Sequence, residues 1–390
     1  MASYMTQPKL NTIDEHETIG KFLRKFPKYK TKHGYKYALK RFFDFLKVNP
    51  DEWIKDVRLM DNGTRIKTLD GYEDDITAFW SDLINKDVPP KTLNYVIAVI
   101  RVFLCHHRIE IPDVFWKDLR RRGSGNQART IDEPITREML QSILTHGDTK
   151  SRALFLMLSS SGMRVGEALK LKPSDINFTS TPTKITIRAE ITKNKTGRIT
   201  FISDEATRFL KEWLKERDAY LKTSAARTHI KCYHGLITKS MDDDRVFPFS
   251  IDTARNIWNR LIEKAELFEK DERTERITVH IHGLRKFFRT YFSRSESARS
   301  RDVVEILMGH RGYLLPEYFK LSPNQLKEEY LVGMKYLLVF ERSSKDLEEQ
   351  VKKEVELRMK VMEQKIYEDL KERLSKEGII EFDWKEIKKQ

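Results

Sequence analysis

The sequence predicts a mainly α protein with a small β-sheet, in which a helical first domain precedes a mixed α/β second domain. Three observations support this fold class. Apolar residues recur at three- and four-residue steps along most of the chain, as in helices with one buried face. Residues 184–203 instead alternate polar and apolar side chains around a polar turn, as a β-hairpin does. A basic segment with glycines separates the two patterns.

The first domain is predicted to cover residues 1–118 and to contain helices only. Helical spacing begins near Thr18, and YKYALKRFFDFLKV (35–48) forms one apolar stripe. GYEDDITAFWSDLINK (71–86) predicts a further helix, and PPKTLNYVIAVIRVFLCHH (89–107) predicts another with proline at its start. A short helix is also expected at Asp51–Trp53.

Residues 119–134 are interpreted as a basic interdomain linker because they are rich in Arg, Gly and Ser. Arg120, Arg121 and Arg122 within it are candidates for binding the phosphate backbone of DNA.

The second domain is predicted over residues 135–340. Its first helices are TREMLQSIL (136–144) and SRALFLMLSSS (151–161), the latter ending at Gly162. The hairpin follows, with its turn at Asn194–Gly197. Further helices are expected at residues 206–221, 252–265, 284–292 and 300–310. Residues 341–390 carry almost balanced charge and helical apolar spacing, which favours a docking helix for a partner over a DNA contact.

Composition narrows the class of partner. A formal net charge of +14 indicates a polyanion such as nucleic acid, although charge spread over the surface for solubility is the alternative. The two cysteines, Cys105 and Cys232, form no CxxC pair, which suits a reducing compartment and disfavours a zinc site. No apolar run approaches the length of a membrane helix, so we expect a soluble, cytoplasmic, nucleoid-associated protein without a membrane partner.

Motifs for metal and nucleotide chemistry are missing from the sequence. It holds no HExxH motif, no Cys/His cluster and no phosphate-binding loop of the Gly-x4-Gly-Lys-Ser/Thr type. We therefore expect no metal and no cofactor.

Four scattered segments carry candidate chemistry. Arg164 follows Gly162 at a helix start, where it faces an anion or simply pairs with Glu167 one turn on. His282 and Arg285 stand three residues apart, which puts them on one helix face.

The other two segments supply a lysine cluster and a histidine followed by tyrosines. At the tip of the hairpin lie Lys193, Lys195 and Arg198. This basic cluster is either exposed to solvent only or enters a DNA groove. His310 precedes Tyr318 in the second segment. In this order the set provides arginines for a phosphodiester, histidines and a lysine for proton transfer, and a tyrosine nucleophile.

These residues resemble the tyrosine recombinase (phage integrase) family, especially its archaeal integrase branch. SGMRVGEAL (161–169) is similar to the family motif TGLRxxEll, and HGLR (282–285) is similar to HxLR. MGH (308–310) is similar to LGH, and TKNKTGR (192–198) is similar to the family's hairpin lysine segment. The resemblance covers roughly residues 15–340 and implies a helical SAM-like core-binding domain followed by a tyrosine-recombinase catalytic domain.

Carried over to this sequence, the resemblance makes Arg164 and Arg285 the arginines that clamp the scissile phosphate, with His310 hydrogen-bonded to it. Lys193 is then the general acid for the leaving 5′-hydroxyl, with Lys195 as the alternate. The resemblance also implies that His282 assists proton transfer from the nucleophile.

The nucleophile departs from the family's pattern by one residue. The family places its tyrosine nine residues after the last motif histidine, where this chain has Phe319. Tyr318 is the nearest candidate, whereas Tyr313 is too close to His310 and Tyr330 is expected in the following helix.

The resemblance implies a site-specific DNA recombinase or integrase of a mobile genetic element, which forms a 3′-phosphotyrosyl intermediate and passes through a Holliday junction. Its partners would be double-stranded DNA and a homotetramer on two duplexes. The alternatives are a type IB-like topoisomerase and a catalytically inactive relative that only binds DNA, the latter suggested by Phe319.

Overall fold

The computed structural model describes residues 13–55, 69–122, 132–226, 231–232, 235–236, 241–297, 299–310, 321–340, 358–360 and 362–368. The chain divides into two compact units, residues 1–131 and 132–390. Each unit has its own apolar core. Within the described residues, no helix combines the length and the apolar character that crossing a membrane requires.

The first unit is helical where it is described, as predicted. Its helices are α1 (Glu17–Arg24), α2 (Tyr29–Leu46), α3 (Pro50–Lys55), α4 (Leu69–Asn85), α5 (Pro90–His106) and α6 (Asp113–Arg121). Their apolar faces meet in an aromatic core in which Phe42 makes edge-to-face contacts with Trp53 and Phe79.

Helix α6 extends into the segment predicted to be linker. Trp116 and Leu119 are buried on its inner face, so the helix continues to Arg121. Arg120 and Arg121 therefore occupy its last turn, and Arg122 follows directly. All three arginines are exposed to solvent. Residues 123–131 lie outside the described part of the chain.

The second unit combines helices with a small antiparallel sheet, as predicted. Its elements are α7 (Arg137–Thr145), α8 (Thr149–Ser161), α9 (Val165–Ala168), β1 (Ile176–Asn177), β2 (Thr183–Ile187), β3 (Arg198–Ile202), α10 (Asp204–Ala226), β4 (Lys231–Cys232), β5 (Gly235–Leu236), α11 (Ile251–Lys264), α12 (Gly283–Phe292), α13 (Ser300–Met308) and α14 (Pro323–Met334). Strands β1, β2 and β3 form one sheet in that order. In the predicted hairpin, Ile185 of β2 pairs with Thr200 of β3.

Helix α8 runs through the core of the second unit and is buried on almost every side. It ends at Gly162, whose φ of 63° lies in the left-handed region that favours glycine. A Cβ atom at this position would lie 2.4 Å from Cδ1 of Phe288 on α12. The backbone therefore turns sharply against α12 and presents Arg164 at the start of α9, which is a single turn long.

The predicted C-terminal docking helix is described only in part. Residues 358–360 and 362–368 are helical and exposed, and the rest of residues 341–390 lies outside the described part of the chain.

Candidate active site

Arg285 is the buried centre of the candidate site. It lies on the inner face of α12 with 4% of its surface exposed. Its guanidinium donates to the carbonyl of Gly162 and, at 2.7 Å, to the carbonyl of Met308. Its Nη2 atom also lies 2.8 Å from Nε2 of His310. One side chain therefore joins the turn after α8 to the end of α13.

The charge of Arg285 has no direct counter-ion among the described residues. Burial, together with the positive charges of Arg164 and Arg198, lowers the pKa of Arg285 to about 10. The nearby carboxylates, Glu167 and Glu305, are bound to other cations. Because a buried charge without a partner is costly, this arrangement favours a bound anion.

Arg164 pairs with Glu167 and still keeps part of its guanidinium exposed, so pairing with Glu167 and binding an anion are compatible. Its backbone N–H donates to Oε2 of Glu167 at 2.9 Å, and its Nη1 atom donates to Oε1 at 3.1 Å. The pairing with Glu167 is therefore present. About one third of the Arg164 side chain, 33%, is still exposed, so other guanidinium donors remain available to a ligand.

Glu167 is a residue whose importance the sequence reasoning missed. Its side chain is 3% exposed and also accepts from Nη2 of Arg198 at 2.7 Å. Burial alone would raise the pKa of Glu167, but hydrogen bonds and charge from Arg198 and Arg164 outweigh burial and lower it. Glu167 is thus a carboxylate that holds two arginines together. The Arg-x-x-Glu spacing is visible in the sequence, but only as a local pair.

His310 is held between Arg285 and a second unpredicted carboxylate, Glu305. The ring Nδ1 lies 2.6 Å from Oε2 of Glu305, which also pairs with Arg289 at 3.1 Å. Since a guanidinium can only donate, Nε2 of His310 accepts from Arg285, and the ring proton of neutral His310 sits on Nδ1, facing Glu305. This hydrogen bonding orients the imidazole at the surface of the site.

His282 stands at the edge of the site, one turn before Arg285. The residue is exposed, yet partial burial of its ring lowers the pKa of His282. The positive charges of His280, Arg285, Lys286 and Arg164 lower it further. His282 is therefore neutral at neutral pH and able to accept a proton.

The hairpin residues fall into two groups. Lys193 and Lys195 are exposed in the connection between β2 and β3, with Lys193 directly before the predicted turn and Lys195 within it. Arg198, in contrast, has a side chain that is only 9% exposed and is bound to Glu167. The structure thus brings Arg198, rather than the lysines, into contact with the residues around Arg164.

The tyrosines divide in a similar way. Tyr318 and Tyr313 lie outside the described residues. Tyr330 lies in α14, as expected, where its hydroxyl donates to the carbonyl of Ser160 at 2.7 Å. Full burial raises the pKa of Tyr330 well above its ordinary value, which makes Tyr330 unsuitable as a nucleophile.

Comparison with known proteins identifies the class to which this site belongs. A sequence model of the phage integrase family matches residues 132–313, which include the arginine, lysine and histidine positions described above and end before Tyr318. Over these residues the chain is similar to the phage integrase family of tyrosine recombinases, which are enzymes that cleave and rejoin DNA.

The chain is also similar to individual proteins of known sequence or structure. The chain is 23% identical over 303 residues to the tyrosine recombinase XerA of Saccharolobus solfataricus, a match that spans 77% of this chain and 85% of the relative. The Tn1549 transposon integrase, solved in complex with circular intermediate DNA, is 17% identical with a TM-score of 0.51, covering 80% of this chain and 97% of the other. A lambda integrase dimer bound to a COC′ core site is 14% identical with a TM-score of 0.49, covering 79% and 98%.

Proposed function

We propose that this tyrosine recombinase cuts and rejoins DNA through a 3′-phosphotyrosyl intermediate formed by Tyr318. The observation that carries the proposal is the buried guanidinium of Arg285, which lacks a direct carboxylate partner among the described residues. A phosphodiester supplies the missing negative charge. It also matches the planar, bidentate donor geometry of arginine.

In this proposal the scissile phosphate binds between Arg285 and the exposed part of Arg164. Both guanidinium groups act on the nonbridging oxygens, whose negative charge grows in the pentacoordinate transition state. His310 reaches the phosphate from the other side of Arg285, with Glu305 fixing the orientation of its ring. Because these groups are held by backbone carbonyls and by the carboxylates of Glu167 and Glu305, little reorganisation is needed when the phosphate arrives.

The covalent step exchanges one phosphoester bond for another. The Tyr318 oxygen attacks phosphorus, and its proton passes to neutral His282. The bond from phosphorus to the 5′-oxygen breaks, and Lys193 donates a proton to that oxygen, with Lys195 as the alternate. Attack by a 5′-hydroxyl of another strand reverses the step, so rejoining the DNA requires no external energy source.

Three tyrosines of the second unit are already engaged, which supports Tyr318 as the nucleophile. Tyr330 donates to Ser160, and Tyr291 accepts from the backbone N–H of Arg137 at 3.0 Å. Tyr336 lies 3.3 Å from Glu296. Tyr318 also follows His310 closely in the chain.

The assembly that this chemistry requires is a homotetramer on two DNA duplexes. Exchange between two duplexes cuts four strands, and each cut consumes one tyrosine. A single protomer could relax DNA but could not join two duplexes. The C-terminal segment, residues 341–390, is the candidate contact between neighbouring protomers.

A nicked suicide substrate tests this proposal. The short cleaved fragment diffuses away, so the DNA cannot be rejoined and the covalent adduct accumulates. Wild-type protein should form an adduct whose DNA-bearing peptide contains Tyr318 in mass spectrometry. Tyr318→Phe should form none, while the matched variant Tyr313→Phe should retain adduct formation. An adduct on another residue would contradict the assignment. Relaxation of supercoils without joining of two duplexes would favour a topoisomerase.

A further inference from the structure

Arg198 occupies a structural junction that the proposed chemistry does not use. It is the first residue of β3 and directly follows the connection that carries Lys193 and Lys195. Its neighbours in that connection are exposed, but the Arg198 side chain turns inward and is 9% exposed. The sequence alone groups Arg198 with the two lysines on the DNA-binding surface.

The contacts of Arg198 reach two other parts of the candidate site. Its Nη2 and Nη1 atoms donate to the two carboxylate oxygens of Glu167 at 2.7 and 3.3 Å. Its Nε atom donates to the carbonyl of Leu307 at 2.9 Å. Its Cδ atom lies so close to Gly309 that an added Cβ atom there would be 2.8 Å away. Arg198 therefore touches the partner of Arg164 and the backbone directly before His310.

These contacts make Arg198 a poor ligand for DNA. Each of its guanidinium nitrogens already donates to a protein oxygen. A phosphate could recruit Arg198 only by weakening the pairing of Glu167, whose side chain is 3% exposed. Leaving a buried carboxylate underpaired is costly, because its charge stays removed from water without a compensating partner.

The connection itself is held by local hydrogen bonds, and Ile191 within it packs against the core of the second unit. Within it, the backbone N–H of Thr196 donates to Oγ1 of Thr192 at 3.0 Å, and Lys195 adopts a left-handed φ of 51°. An arginine stands at each end of the connection. Arg188 pairs with Asp175 at 2.9 Å and donates to the carbonyl of Lys170, whereas Arg198 binds Glu167.

We propose that Arg198 is a positioning residue, which fixes the connection bearing the general-acid lysine against the segments of Arg164 and His310. This inference rests on the proposed function, because it assumes that Lys193 or Lys195 protonates the leaving oxygen. Arginine is required at this position because its planar fork spans both Glu167 oxygens while Nε reaches Leu307. A lysine keeps the charge but offers one nitrogen in place of three.

The test compares Arg198→Lys with the control Arg188→Lys, which weakens the matching anchor at the other end of the connection. Single-turnover cleavage is measured on nicked DNA with an ordinary 5′-oxygen and on DNA with a 5′-bridging sulfur at the scissile phosphate. A thiolate leaves without protonation, so the sulfur substrate needs no general acid. Affinity for both variants is measured with uncleavable DNA.

Arg198→Lys should slow cleavage of the oxygen substrate by about 10- to 100-fold, as expected for a misplaced catalytic group. The cleavage rate of Arg198→Lys on the sulfur substrate should stay within about threefold of the wild-type rate. The double variant Arg198→Lys/Lys193→Ala should cleave the oxygen substrate little more slowly than Lys193→Ala alone. Arg188→Lys should stay near wild type on both substrates.

Three results would overturn the inference. Equal slowing on both substrates would assign Arg198 a purely structural role, and a loss of affinity with unchanged cleavage would make it a DNA ligand. Rescue by sulfur in Arg188→Lys to the same extent would remove the distinction between the two anchors. If wild-type protein formed no adduct on either substrate, the proposed function itself would fail, and the inference with it.

Discussion

At Arg285 the protein buries a guanidinium whose charge no carboxylate among the described residues neutralises by direct contact. Two carbonyls and the ring of His310 take its donors, which fixes its orientation without cancelling its charge. A side chain held in this way costs stability in the free protein and recovers that cost when an anion binds. In the proposed function, the same feature accounts for both a local weakness of the fold and the binding of a phosphate.

This arrangement predicts that a small tetrahedral anion stabilises the protein through Arg285. Inorganic sulfate at ten times its dissociation constant should add about 1.4 kcal/mol of stability, seen as a rise in Tm. Arg285→Met should abolish this rise and should lower adduct formation by at least about 100-fold. Sodium chloride at matched ionic strength is the control. An equal rise in the variant would mean that sulfate acts elsewhere.

The pKa of His282 predicts how cleavage depends on pH. Partial burial and neighbouring positive charges lower this pKa below the ordinary value of 6.5, so His282 remains neutral at and somewhat below pH 6.5. As a proton acceptor it works only when neutral, so the single-turnover rate should be level from neutral pH to about pH 6.5 and fall at lower pH. His282→Asn should be slower and should lack this acidic limb. A fall that begins above about pH 6.5 would contradict the lowered pKa.

The residues of the site show where reasoning from sequence stops. Arg164, His282, Arg285 and His310 are recognisable because each sits in a short local motif. Glu305 is not, although it lies five residues before His310 and binds its ring. Arg198 is recognisable only as a basic residue that suits DNA, because its partner Glu167 is 31 positions away and Leu307 is 109 positions away. Contacts at such separations depend on packing, which a single sequence does not encode locally.

The elements were more predictable than the contacts between them. Helices α8, α11 and α12 and the β2–β3 hairpin follow from apolar periodicity, capping residues and the polar turn. The first domain is predicted to end at residue 118, because the basic run that follows suggests a linker. Helix α6 instead continues to Arg121, since Trp116 and Leu119 are buried on its inner face. Local polarity is outweighed there by tertiary packing.

The turn between α8 and α9 gives a prediction about stability. Gly162→Ala should destabilise the second unit by about 2–4 kcal/mol, because alanine resists the left-handed φ of 63° and its Cβ would meet the ring of Phe288. Urea unfolding measures the change. Gly166→Ala is the matched control, since Gly166 has nothing within 4 Å of an added Cβ and lies in a helical turn. A destabilisation below about 1 kcal/mol for Gly162→Ala would show that α12 yields easily.

At the scale of the whole molecule, the question is where the net charge of +14 acts on DNA. The second unit uses several arginines internally, since Arg198, Arg188 and Arg245 pair with carboxylates. The carboxylates offset the charge of those side chains locally, although Arg188 and Arg245 remain partly exposed. The exposed arginines at the end of α6 are different, because they precede residue 123 near the boundary between the two units in the chain.

We therefore expect the end of α6 to hold the DNA backbone. Replacing Arg120, Arg121 and Arg122 by alanine should weaken binding to uncleavable DNA and reduce the slope of log affinity against log salt by about 0.9 for each phosphate that is no longer neutralised. The weakening should be similar for different DNA sequences, since phosphate contacts carry no sequence information. Arg122 also pairs with Asp118 at 2.5 Å, so its share should be the smallest of the three.

The control for this experiment removes the same amount of charge from a different helix of the protein. Lys211, Lys215 and Lys222 of α10 are also exposed, and replacing them by alanine lowers the net charge by three as well. Counterion release depends on the phosphates that a bound side chain neutralises, so charge that lies away from the DNA should leave the slope unchanged. An equal change of slope in the control would mean that DNA responds to net charge alone, and that α6 has no special role.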